Sequence, residues 1–152
     1  KGASRAGGDE PGPRGRRSPC APTCAQLTRR LTRAKRANDV LNICDWHLDA
    51  FDAVNLVTAL LRVAKASTSR RTLEDPRFRR LFDAVRGIAR DLTARGVANV
   101  AWSCARMRVA DRPFLDAVSL AAIKERKHFL PKELSNFVWA YATLRAGDDA
   151  LL

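Results

Sequence analysis

The chain is poor in the residues that do chemistry. It has two histidines, one tyrosine and one methionine among 152 residues. Neither His47 nor His128 stands in a pattern with a nucleophile, so no catalytic role is assigned and no enzyme is expected within this stretch. No apolar run approaches the roughly 18 residues of a membrane span, and no apolar core follows the basic start as in a secretory signal. No membrane partner and no small-molecule substrate are expected. The four cysteines lack the spacing of a disulfide framework. Cys20, Cys24, Cys44 and His47 could be drawn as zinc ligands. Their spacing is irregular and contains no C-x-x-C pair, so buried or idle thiols are the expected reading. No metal and no cofactor is expected.

Acidic residues are also scarce. Sixteen Asp and Glu face twenty-eight Lys and Arg, a formal net charge of +12. Such a balance points to nucleic acid or another anionic surface. The excess is uneven: residues 1–36 hold ten basic and two acidic residues, whereas 37–152 hold eighteen and fourteen. Residues 1–22 are rich in Gly, Pro, Arg and Ser, too polar to offset the entropy of ordering, and are expected to form a disordered basic tail. Residues 23–152 are expected to form one helical domain. The start at Lys1 suggests a fragment or a processed product, and the arginine-rich beginning is similar to an organelle transit segment.

What is present in abundance is helical pattern, and it repeats. Residues 134–146 read LSNFVWAYATLRA, and residues 97–109 read VANVAWSCARMRV. At an offset of thirty-seven, Asn99 falls on Asn136, Trp102 on Trp139, Ala105 on Ala142 and Arg108 on Arg145. Pro76 meets Pro113 and Arg95 meets Lys132 at the same offset. A weaker copy, residues 54–65, places Asn55 on Asn99 at an offset of forty-four, with Thr58 at the tryptophan position. A period of this size is the mark of a helical array. The expected fold is all-α: a right-handed-type α-solenoid of antiparallel helix pairs, about three units, with a period near 37 residues. At the same offset Asp148 falls on Asp111 and Leu152 on Leu115, so the array is expected to continue beyond Leu152.

Caps and breaks outline the helices. Thr23 caps a first helix over 24–36, and a second spans about 39–48 with Val40, Leu41, Cys44 and Leu48 on one face. A third covers 52–65. Asp75 and Pro76 open a fourth that reaches about residue 90 and buries Phe78, Leu81, Phe82, Val85 and Ile88. Its partner spans 94–107. Asp111 caps a helix with Pro113 in its first turn, reaching about 127. Pro131 opens the last, which is expected to stop before Gly147. The second helix of each pair is apolar nearly all round and is expected to be covered on every side.

The final helix resembles a family pattern. Phe129, Leu130, Pro131, Lys132, Glu133, Leu134, Ser135, Asn136, Trp139, Ala140, Ala142 and Leu144 follow the form F-x-P-Q-E-L-x-N-x-x-W-A-x-A-x-L of octotricopeptide-type repeats, with Lys132 at the usual glutamine. FAST-kinase-like proteins and the RNA-editing substrate-binding complex six-like helical proteins carry related repeats. The resemblance implies an RNA-binding helical-repeat module in a mitochondrion, or alternatively a plastid, that supports RNA processing, stability, editing or translation. A protein-interaction scaffold within an organellar ribonucleoprotein complex is the alternative.

Particular residues follow. Asn55, Asn99 and Asn136 are expected to tie helices to the preceding loop, with base reading as the alternative. Trp102 and Trp139 are expected in the core, with base stacking as the alternative; Trp46 lies beside a polar edge. Arg95 and Lys132 share one repeat position, and Arg108 and Arg145 another. Repetition would set them in a line suited to the phosphates of single-stranded RNA, or leave them as a solvated face. Arg77, Arg79 and Arg80 on a first helix, and Arg29, Arg30 and Arg33 near the start, are further candidate phosphate contacts.

Overall fold

The computed structural model describes residues 21–66 and 69–149. Most of the expected tail therefore lies outside the described residues. Among them are eight α-helices and no strand: α1 (Cys24–Arg33), α2 (Ala37–His47), α3 (Ala53–Ala66), α4 (Arg70–Leu73), α5 (Pro76–Gly87), α6 (Ala94–Met107), α7 (Arg112–Lys124) and α8 (Pro131–Asp149). Short 3-10 turns follow α2 at Leu48–Ala50 and α5 at Ala89–Asp91.

Local chemistry explains the starts. The Thr23 hydroxyl accepts from the Gln26 N–H, and the Gln26 side chain accepts from the Thr23 N–H, a reciprocal capping box. Asp75 and Asp111 accept from N–H groups of the first turns of α5 and α7, and Pro76 opens α5, where its missing donor costs nothing. Thr93 caps α6 in the same way. Ser69 caps α4, a single turn within the polar stretch expected to be an insertion.

The ends differ more from expectation. α1 stops at Arg33 because Ala34 turns extended, and the Arg62 guanidinium donates to its carbonyl at 2.7 Å. α5 ends at Gly87 and its path tightens into the 3-10 turn, leaving Ile88 half-buried. α7 ends at Lys124, before a turn over 125–128. α8 does not stop before Gly147 but continues to Asp149. An interior glycine costs only about 1 kcal/mol relative to alanine, which weakens a helix without ending it.

Packing follows two rows. α1 lies on α3, α3 on α6 and α6 on α8; α2 lies on α5, and α7 on the 3-10 turn after α5. α2 on α3, α3 on α5 and α6 on α7 join the rows. Phe114, the largest fully buried side chain among the described residues, meets Phe82 edge-on at 4.9 Å and so joins α7 to α5. Arg86 reinforces this joint, with its guanidinium over the Phe82 ring and 2.6 Å from the Asp111 carboxylate. Tyr141 ties α8 to α7: its hydroxyl donates to the Leu115 carbonyl at 2.7 Å and accepts from Ser119 at 2.8 Å.

The apolar second helices meet different fates. α6, held between α3 and α8, buries Val97, Val100, Ala101, Cys104 and Ala105. Trp102 is half-buried against this core. The expectation for Trp139 is overturned: it is 48% exposed, beside exposed Leu134 and Val138. Among the described residues α8 packs on α6 and, through Tyr141, on α7, and the rest of its surface is exposed there. The same pattern of side chains is core in one helix and surface in the next because neighbours, not composition, determine burial.

Candidate nucleic-acid interface

Cations gather around α1. Leu27 and Leu31 of this helix are buried, which turns Arg29, Arg30 and Arg33 outward and sets Thr28 and Thr32 on the α3 flank. Three openings border this helix, two of them sharing Arg30 and Arg33 and the other lying on the α3 flank. A groove of about 490 Å³ between α1, α3 and α6 is lined by Thr28, Thr32, Arg62, Lys65, Arg95 and Asn99, with Asp91 its one carboxylate. A cleft of about 420 Å³ along α1 is lined by Gln26, Arg29, Arg30 and Arg33. A third, about 630 Å³, opens between the end of α1 and α2 and is lined by Arg30, Arg33, Lys35, Arg36, Asn42 and Ile43, with Asp39 its one carboxylate. Arg29, Arg33, Lys35, Arg36, Lys65 and Arg95 form no ion pair among the described residues. The groove between α1, α3 and α6 also has Val54, Val57, Leu61 and Leu92 in its lining, so its cations sit at the edge of an apolar floor; unpaired charges of one sign attract an anion.

The sequence candidates divide. Arg29, Arg30, Arg33 and Arg95 line these openings. Lys132 and Arg108 are exposed at opposite ends of α8 and α6, outside them. Arg108 caps α6 in the left-handed conformation at φ 56°. Arg145 lines a separate apolar groove between α7 and α8. Arg79 is exposed on α5.

Arg77 and Arg80 are corrected. Arg77 donates from Nε and Nη2 to Asp75, from Nη1 to Asn42 Oδ1 at 2.6 Å and from Nη2 to Asn38 Oδ1 at 2.9 Å. The Arg77 hydrogen bonds hold the Asp75 carboxyl below the usual carboxylate range. Arg80 pairs with Asp45. Both arginines therefore join α5 to α2; most of the Arg77 donors are used, whereas Arg80 is exposed and spends one nitrogen on Asp45.

Lys65 and Arg62 were not singled out from sequence. Their spacing of three on α3 placed them on neighbouring turns, but nothing local showed that α6 would bring Arg95 alongside. The Arg62 Nε–H is buried without a partner among the described residues, a cost of about 1–3 kcal/mol.

Asn55 joins the start of α3 to the preceding turn and to α1. It is fully buried; its Oδ1 accepts from the Asp52 N–H at 3.1 Å, and its Nδ2 donates to the Cys24 carbonyl at 2.9 Å and to Thr28 Oγ1 at 2.8 Å. Asn99 and Asn136 are half-buried and, among the described residues, make no equivalent bonds.

The titratable groups have structural explanations. Burial pushes the Cys44 and Cys104 thiols up to about 12. Burial, then the nearby Arg30 guanidinium, lowers His47 below its ordinary value. Arg30 Nη1 lies 3.1 Å from His47 Nε2, a contact in which the guanidinium can only donate. Among the described residues no three ligating side chains converge on a metal position, and Cys20 lies outside them.

Compared with family models, with curated proteins and with solved structures, the chain matches none of them.

Proposed function

We propose that this chain is an RNA-binding helical-repeat module. Its helix pairs stack as an α-solenoid with a period near 37 residues, and single-stranded RNA lies across the cationic band around α1. The observation that carries the reading is that band: Arg29, Arg33, Lys35 and Arg36 are exposed outside any described ion pair, and a groove on the other flank of α1 holds Lys65 and Arg95. Lysine and arginine neutralise phosphates and release counterions, which supplies most sequence-independent affinity. The resemblance of the final helix to octotricopeptide-type repeats supports a site of action in mitochondria, or alternatively plastids, in RNA processing, stability, editing or translation.

Anisotropy titration of a single-stranded RNA oligomer across a salt series tests this. The logarithm of the binding constant falls with log salt by about 0.7 per phosphate neutralised. Arg29→Ala, Arg33→Ala and Arg95→Ala each flatten that slope by roughly 0.7, whereas Arg77→Ala leaves it unchanged. Salt-independent binding, or none, refutes the reading.

A protein-interaction scaffold is favoured by a different observation. Ile123, Leu134 and Val138 are exposed in the lining of a groove of about 610 Å³ between α7 and α8, together with Arg126 and Arg145. The chain itself illustrates what such a groove takes: α7 seats Phe114 on Phe82 while Asp111 meets Arg86. A helix with an acidic cap and a large apolar residue three positions later fits the same description. Under this reading Val138→Asp abolishes partner capture and leaves RNA affinity intact.

A further inference from the structure

Trp46 is 82% exposed, the most exposed large apolar side chain among the described residues. An indole so placed forgoes the burial that normally makes tryptophan stabilising. Its backbone is nevertheless well held. Asp45 is paired with Arg80 of α5, His47 with Arg30 of α1, and Cys44 is buried beneath. Both neighbours are thus anchored to different helices, and Trp46 is presented between them.

Its position along α2 relates it to the cationic cleft. Asn42 and Ile43 line the cleft, and Trp46 lies four and three residues beyond them, on the same strip of the helix one turn further. The cleft contributes Arg30, Arg33, Lys35 and Arg36 against Asp39. Asp45 is paired with Arg80. Asn42 is oriented as well: Arg77 occupies its Oδ1, which leaves its amide N–H groups as the donors it can present. An aromatic face, a row of cations and an oriented amide donor on adjoining surface are the parts of a single-strand subsite.

We propose that Trp46 is a base-stacking platform, taking one unpaired nucleobase on its indole face while the flanking phosphates lie in the α1–α2 cleft. The proposal rests on the RNA-binding reading and adds a base-dependent contact to it. Stacking is tolerant of sequence because every base has a π-face, so the subsite distinguishes unpaired from paired strands rather than one base from another.

The test uses the full chain, a single-stranded oligouridylate, and an abasic oligomer of the same length. Trp46→Ala weakens oligouridylate binding by roughly 5- to 100-fold and leaves the salt slope unchanged. Trp46→Phe, which keeps a ring, recovers most of the loss. The abasic oligomer binds wild type and Trp46→Ala equally. In a Trp102→Phe, Trp139→Phe background, where Trp46 is the remaining indole, its fluorescence is quenched on saturation with oligouridylate and not with the abasic oligomer. Circular dichroism identical to wild type excludes misfolding as the cause. Salt-dependent RNA binding that Trp46→Ala does not weaken overturns the stacking site and leaves the RNA-binding reading standing. Loss of a protein partner with RNA affinity intact likewise overturns it and makes Trp46 a protein contact. Absence of RNA binding by the wild type overturns the broader reading, and this one with it.

Discussion

Asn55→Ala removes the polar tie between α1 and the start of α3. Three side-chain hydrogen bonds disappear: to the Asp52 N–H, the Cys24 carbonyl and Thr28 Oγ1. Each contributes about 1 kcal/mol net. Asp52 is exposed and Cys24 partly so, and water reaches the groups they leave behind. The full desolvation penalty therefore does not apply, and the loss is about 2–4 kcal/mol. Against a typical domain stability of about 5–15 kcal/mol this is large. Urea denaturation followed by far-ultraviolet circular dichroism measures it; with a slope of about 1–3 kcal/mol per molar, the midpoint falls by roughly 1–2 M. Asn55→Asp keeps the shape but points carboxylate oxygen at the Cys24 carbonyl, and costs at least as much at neutral pH. Asn136→Ala, at the equivalent repeat position but half-buried, costs less than about 1 kcal/mol. A double-mutant cycle with Thr28→Val gives a coupling above about 0.5 kcal/mol. A loss below about 1 kcal/mol for Asn55→Ala, or equal losses at 55 and 136, would show that burial and hydrogen bonding do not set the role of this asparagine.

Other consequences can be measured on the same protein. Phe114→Ala empties the joint between α5 and α7 and costs about 3–5 kcal/mol in the same denaturation assay; a cost under about 1 kcal/mol contradicts the packing described. Arg108→Gly relieves a left-handed arginine and raises stability by roughly 0.5–1 kcal/mol, whereas destabilisation in thermal melts would show that the arginine side chain stabilises α6. Cys44 and Cys104 resist alkylation in the folded chain at neutral pH and react only on unfolding; labelling at the rate of a free thiol would refute their burial. The sign of their pH effect follows from the raised values. The folded state keeps both protons, so their contribution is full below the ordinary thiol value near 9 and declines as pH rises from there towards about 12. Stability measured from pH 8 to pH 11 falls accordingly, and less steeply in a Cys44→Ala, Cys104→Ala variant.

Much of the candidate interface was legible only as composition. The excess of arginine near the start pointed to α1, and Arg29, Arg30, Arg33 and Arg95 do line its openings. Arg77 and Arg80 looked equivalent to them in sequence. Their partners Asn38, Asn42 and Asp45 lie more than thirty residues away, so no local pattern could show these contacts. Trp46 suffered the reverse: without a repeat to mark it, its exposure became visible only once α2 had been set against α5 and α1.

The sequence by itself determined the elements. Asp75 before Pro76, Asp111 before α7 and Pro131 at the head of α8 act within three or four residues, and each starts a helix where that spacing says it should. The absence of strands among the described residues also follows from apolar residues recurring at helical intervals. Tertiary structure alone decided which of two similar helices is core. Trp102 and Trp139 stand in matching sequence, yet one is packed between neighbours and the other faces solvent. It also brought Lys65 and Arg95 into one groove, because the distance between charges on different helices is set by how those helices pack, and a local pattern does not contain that distance.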